Sequence, residues 1–355
     1  MNQRLAAAVL ALPLVAALVL VAILEPLPYV TYQPGPTIDV LSESDGKEII
    51  QVSGHKTYRD DGELRMTTVS VSQRETKVNL FRVMRDWLNP DNGVYPRDAV
   101  YQEGQTQEED QNEGAVEMLT SQDAAAAVAL RELGYHPKSV LEVLQVVAGE
   151  PADGALAVRD IIRGVNGEDL DPDLATAQQQ VLDAISAAGP GEPVRFTVLR
   201  DGEEIEVPVV PQENEEGRPA VGIKIGEGFI LPFSVRVGID SRIGGPSAGL
   251  MFSLAIYDTL TPGSLTDGHA VAGTGGIASD GTVEPIGGIQ QKIVGAREAG
   301  ADLFLVPADN CGDAGGARNG DMRLVKVETM HSALESIESW VGDPDAVLPT
   351  CGEAT

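Results

Sequence analysis

Two side chains in this sequence have the chemistry of a hydrolase if the fold brings them together. In the stretch RIGGPSAGLMFSL, residues 242–254, Ser247 stands between glycines with an apolar run behind it. A hydroxyl is a weak nucleophile at neutral pH and needs a base. The chain has four histidines, His55, His136, His269 and His331. Gly245-Pro-Ser247-Ala-Gly249 formally fits the G-x-S-x-G nucleophile turn, whose histidine follows later in the chain. His331 has that order, but it opens a predicted helix, TMHSALESIESW. Lys292 is the other candidate base. In GGIQQKIVGAREAG the residues Ile289, Ile293 and Ala296 form an apolar stripe at helical spacing, with Lys292 on its edge. Burial disfavours an ammonium and brings a lysine down from about 10.4 toward neutrality, so a desolvated Lys292 could take the serine's proton.

The elements that must position this pair read as strands alternating with helices from Gly228 to Val341. FSVRVGI is a strand and GGPSAGLMFSLAIYDTLT a helix entered at Pro246, which puts Ser247 at the helix N-terminus, where free N–H groups favour an oxyanion. HAVAGTGGIASDGTVEPI reads as two short strands, GGIQQKIVGAREAG as a helix, DLFLVP as a strand and HSALESIESW as a final helix. Upstream, YQPGPTIDV reads as a Pro/Gly-rich exit from the N-terminal segment, KEIIQVSG and LRMTTVSVSQ as strands, and QEGQTQEEDQNEG as a mobile acidic loop. TSQDAAAAVALRELGY then restarts order as a helix, with Ser121 in an incomplete capping box.

Between about Val140 and Val210 lies a compact unit. VLEVLQVV reads as a strand, AGEPADGAL as a turn with a short helix, and RDIIRGVNGEDL as a strand with an Asn-Gly turn. PDLATAQQQVLDAISAAG is an amphipathic helix, and VRFTVLRDGEEIEVPVV a hairpin on Asp201-Gly202. EPADGAL and DIIRGVNGEDL resemble a bacterial PDZ domain, although Arg159-Asp160 stands where Gly-Asp is usual. The resemblance implies capture of an extended peptide by strand addition, at Val140, Leu141 and Val143; a purely structural spacer is the alternative.

GGPSAG, the lysine of EPIGGIQQKI, and AREAGADLFLVP together resemble the proteolytic domain of Lon proteases. By that resemblance Ser247 is the nucleophile, Lys292 the base of a Ser–Lys dyad, and Thr274 of AGTGGI the threonine that holds the lysine. Ala248 would supply an oxyanion N–H. Gly244 replaces the acidic residue that many members carry three before the serine. No G-x-x-x-x-G-K-[ST] occurs, so ATP-independent cleavage is expected, with no cofactor and no metal. GELRMTTVSVSQ and MLTSQDAAAAVALRELGY are fainter echoes of the first half of the same domain, with the PDZ-like unit inserted. The resemblance also implies a hexameric ring.

Composition bounds the partners. Of 355 residues 25 are Lys or Arg and 54 Asp or Glu, a net charge of −29 that argues against nucleic acid; polypeptide as the substrate class is what the resemblance to Lon proteases implies. Leu5 to Leu24 carries no charge, follows Arg4 and is long enough for a hydrocarbon core. The expectation is a signal anchor that fixes the chain to the bacterial cytoplasmic membrane, with everything after it extracytoplasmic. Cys311 and Cys351 would suit a disulfide there.

The expected fold class is α+β: a transmembrane helix (1–27), an N-terminal segment that is a candidate first half of the peptidase (28–135), a PDZ-like β-rich module (136–213), a Lon-type α/β proteolytic domain (217–342) and a tail (343–355). The expected function is a serine endopeptidase. A Ser–His esterase on His331 and a non-catalytic PDZ adaptor are the alternatives.

Overall fold

The computed structural model describes residues 3–44, 46–101, 104–189, 191–214, 217–240 and 242–352, with the side chains of the first helix given from Ala11 onward. A six-stranded sheet runs in the order Arg323–Val327, Leu303–Pro307, Ala270–Gly273, Glu63–Val71, Tyr29–Asp39, Gly93–Pro96. The first four strands are mutually parallel and the last two pairings antiparallel. Alternation along the strands explains the layers on its two faces. Leu303, Leu305 and Val271 join a core with helices Gln107–Glu132, Gly249–Leu260 and Met330–Gly342. Phe304, Val306 and Ala272 face the opposite way, onto Ile289, Ile293 and Ala296 of helix Ile289–Glu298. Helix Gly249–Leu260 has only Tyr257 outside the buried class, and its largely apolar text carries Ser253, Asp258 and Thr259 into the interior with it.

Three expectations are corrected here. The transmembrane anchor is not supported: among the described residues no helix is long and apolar enough to cross a membrane. Helix Gln3–Leu24 forms, with Pro13 inside it. The membrane localisation falls with the anchor. The acidic stretch 104–114 is not a loop, because from Gln107 it is helix; Gln102 and Glu103 lie outside the described residues. Thr106 accepts from Glu109 N–H while Glu109 reaches back to the Thr106 N–H, a full capping box. Glu108, Glu109 and Asp110 then lie at the positive end of the helix dipole, and Arg74 pairs with Asp110 at 2.8 Å. The clustered charge that reads as disorder is a helix start. Lastly, YQPGPTIDV belongs to strand Tyr29–Asp39, whose register shifts between Pro34 and Thr37 to absorb its prolines and Gly35.

A second sheet, in the order Glu203–Val209, Val194–Arg200, Ile161–Val165, Lys138–Val146, Ile223–Ile230, packs against helix Leu174–Ala187 around Val143, Val181, Phe196 and Val198. Asp201 and Gly202, with φ of 52° and 85°, make the hairpin turn that their types predict. The expected short helix after AGEPADGAL is instead a series of turns. Arg159 takes φ 74°, a left-handed conformation that glycine adopts freely and arginine only at a cost of about 1–2 kcal/mol. Its guanidinium reaches out of this unit to Asp123 of helix Gln107–Glu132 at 2.8 Å.

Beside that pair, Glu142 is 3% exposed, and among the described residues its Oε1 has no hydrogen-bond partner. Burial, with the Asp123 charge adding to it and Arg159 opposing it, pushes the Glu142 carboxyl up to about 7. A raised carboxyl means that the folded protein holds the proton more tightly than the unfolded chain, so this stability is present below about pH 4.5 and lost as pH rises through 7. Glu142→Gln should therefore raise the urea midpoint at pH 8 and change it little at pH 5. Equal midpoints for both proteins at pH 8 would refute this account.

Candidate active site

Strand Ala270–Gly273 is four residues long, and its brevity makes the site. Beyond Gly273 the sheet has a gap between Glu63–Val71 and Leu303–Pro307, and the two helix layers meet through it. Ser247 arrives from the head of Gly249–Leu260 on one face and Lys292 from Ile289–Glu298 on the other. Lys292 Nζ stands 2.7 Å from Ser247 Oγ. It also donates to Thr274 Oγ1 at 2.9 Å, and Thr274, the first residue after the strand, donates in turn to the Ser247 carbonyl at 2.9 Å. Because the threonine proton is committed to that carbonyl, its lone pair faces the lysine. A neutral Lys292 can thus give one N–H to Thr274 and keep its own lone pair for the serine hydroxyl.

Lys292 is 2% exposed. Burial alone lowers its amine from 10.5 to about 7, with no carboxylate among the described residues to hold the charged form. Glycines let the backbones close around it. A Cβ on Gly273 would meet Met251 Sδ at 2.7 Å, and Gly275, at φ 155°, donates its N–H to the Ser247 carbonyl at 2.9 Å.

Helix Gly249–Leu260 is capped by Ala248, so Ser247 lies in the preceding turn rather than at the helical position expected from Pro246. The N–H groups of Ser247 and Ala248 carry no hydrogen bond to another described residue. They are free donors beside the hydroxyl, the arrangement that stabilises a developing oxyanion. A cavity of about 390 Å³ opens here, lined by Met66, Val69, Val71, Met118 and Ile243 besides the dyad, with Arg242 also on its wall.

The other predicted residues fall elsewhere. His331 is exposed and pairs with Glu132 at 2.7 Å and Glu335 at 3.4 Å, and no histidine lines the cavity. Cys311 and Cys351 are bridged, with Cα atoms 4.9 Å apart, which ties the tail to the layer behind Phe304. Val140, Leu141 and Val143 do not form a free edge. Ile223–Ile230 pairs along the whole of Lys138–Val146, with Val140 opposite Gly228 and Val143 opposite Ile225, and Leu141 also faces Ile162. The outermost strand on that side is Ile223–Ile230 itself, a role hidden in the sequence behind the polar run QENEEGR. A larger cavity, about 570 Å³, lies between Leu141, Ile162 and Leu174 and holds none of the dyad. Among the described residues no three His, Cys, Asp or Glu side chains gather as a metal site.

Residues 241–337 match the model of the Lon protease (S16) C-terminal proteolytic domain, and residues 115–210 that of the PDZ domain. The chain is 30% identical over 145 residues to a Lon protease of Campylobacter concisus, 39% of this chain and 18% of that protein. It is 44% identical over 69 residues to Lon protease 1 of Sorangium cellulosum, 19% of this chain and 8% of that one. The matches thus span less than a fifth of either relative's length. Among solved structures, the PDZ domain of the SdrC-like protein from Listeria innocua aligns at 23% identity and a TM-score of 0.22, over 24% of this chain and 92% of that one. The chain carries a Lon-type serine peptidase domain together with a PDZ domain.

An amine lowered to about 7 should impose its titration on the serine. Labelling of Ser247 by a fluorophosphonate should rise about tenfold per pH unit below 7 and level off above it. A flat profile from pH 5 to 9 would remove Lys292 as the group that activates Ser247.

Proposed function

We propose that this protein is an endopeptidase that hydrolyses polypeptides through Ser247 and Lys292 without nucleotide. The observation that carries the reading is a buried lysine amine 2.7 Å from the hydroxyl of a serine beside two free amides. Ser247 Oγ attacks the peptide carbonyl carbon while its proton passes to Lys292 Nζ. The carbonyl π electrons move onto oxygen, which the N–H groups of Ser247 and Ala248 receive. As the C–N bond breaks, the Lys292 ammonium returns the proton to the leaving amine and the acyl-enzyme remains. Water then attacks the ester, Lys292 takes its proton, and collapse frees the acid and restores Ser247. Thr274 keeps the amine pointed at the serine.

None of these steps uses a nucleotide. The apolar cavity wall suits an aliphatic or aromatic side chain next to the scissile bond. The PDZ unit would present polypeptide to this cavity, with the outer strand Ile223–Ile230 as the edge for an extended segment. The His331 esterase has no geometric support, since that ring is held by Glu132 and Glu335.

The test is cleavage of casein or a fluorogenic peptide in nucleotide-free buffer. Ser247→Ala and Lys292→Met should each lower the rate by at least about 10³-fold with the fold intact, and His331→Ala should leave it within about twofold. Full activity in folded K292M would overturn the dyad. An inactive wild type that still binds peptide would favour the adaptor.

A further inference from the structure

The turn 244–247 that carries the nucleophile is held from a direction the dyad does not explain. Ser121, 4% exposed on helix Gln107–Glu132, donates its hydroxyl to the Pro246 carbonyl at 2.9 Å. Two turns earlier on the same helix face, the Gly114 carbonyl accepts from Gly245 N–H at 2.9 Å. The backbones are in direct contact here, because a Cβ on Gly244 would lie 3.2 Å from the Gly114 carbonyl carbon, and one on Gly249 would lie 2.8 Å from Ser121 Oγ. A hydroxyl in mid-helix ordinarily bonds back to the carbonyl four residues earlier, as Thr120 does to Val116 at 3.0 Å. Ser121 instead reaches across to the turn. Among the described residues the one other group at the Pro246 carbonyl is Gly249 N–H, at a long 3.4 Å.

The peptide bond gives this contact a chemical consequence. Pro246 C=O and Ser247 N–H belong to one rigid plane and point in opposite directions. Fixing the carbonyl toward Ser121 therefore aims the Ser247 N–H away from it, toward the side where the oxyanion would form. The next plane is locked in the same way: Thr274 and Gly275 hold the Ser247 carbonyl, which aims Ala248 N–H. Resting on the peptidase reading above, we propose that Ser121 is a positioning residue that orients the Ser247 amide as an oxyanion donor.

The experiment compares wild type, Ser121→Ala, Ser121→Cys and Thr120→Ala in steady-state peptide cleavage and in inhibition by a peptide boronic acid, whose tetrahedral adduct mimics the oxyanion. An amide that acts only in the transition state contributes to kcat and not to ground-state binding. Ser121→Ala should lower kcat about 10- to 100-fold, leave KM within about twofold, and weaken the boronate by the same factor as kcat. Ser121→Cys, similar in shape and a weaker donor, should fall between, and it carries the test if the alanine variant fails to fold. Thr120→Ala should match wild type. The proposal is overturned if kcat is unchanged in a folded Ser121 variant, or if kcat falls without any loss of boronate affinity. An inactive wild type, or an active K292M, would instead remove the peptidase reading and this proposal with it.

Discussion

An amine that must stay dry governs this structure. A buried ammonium with no counter-charge is costly, so Lys292 is tolerated in the interior because it can be neutral, and a neutral amine is what a serine needs. That constraint accounts for the hydroxyl partners around it, which suit either protonation state, and for burial as the cause of its lowered basicity, opposed by no carboxylate among the described residues. It also accounts for the short strand Ala270–Gly273. A longer strand would fill the gap through which lysine and serine meet from opposite faces of the sheet.

Around the dyad, accuracy comes from main chain more than from side chains. Gly244 against Gly114, Gly273 against Met251, and Gly275 against Val283 are all contacts that a Cβ on the first-named glycine would crowd. Peptide planes clamped at their carbonyls leave N–H groups aimed into the cavity without any side chain having to reach it.

Much of this was legible in the sequence and some was not, for physical reasons. Ser247 and Lys292 could be read because their surroundings are local: glycines around a turn, and an apolar stripe with a lysine on its edge. The sheet partners Glu63–Val71 and Ala270–Gly273 could be suspected only as an echo, since parallel pairing across such a separation leaves no periodic trace. Ser121 was visible as a polar residue near a supposed helix start. Its true role depends on a capping box fourteen or so residues earlier and on a tertiary carbonyl, neither of which spacing reveals. The acidic run misread as a loop shows the same limit, for Glu108, Glu109 and Asp110 repel one another as a charge cluster yet are each favoured at a helix N-terminus. Arg159 is the converse case. Its departure from the usual glycine was plain, and the structure supplies the reason, because the strained residue spans to Asp123 and joins the inserted unit to the helix that also bears Ser121.

The interleaving of the two units has a consequence for how the protein is made. Thr67 Oγ1 meets the Gly273 carbonyl across a sequence separation of 206 residues, and the helix that braces the nucleophile turn is synthesised before the PDZ unit while the nucleophile itself comes after it. During translation Tyr29–Asp39 can pair early with Glu63–Val71 and Gly93–Pro96, but the other edge of Glu63–Val71 and the Ser121 hydroxyl must wait until the last third of the chain emerges and folds against them. Any chain that ends within or before the inserted unit therefore lacks both Ser247 and Lys292, so the part of the layered fold that is made first has no hydrolytic pair of its own.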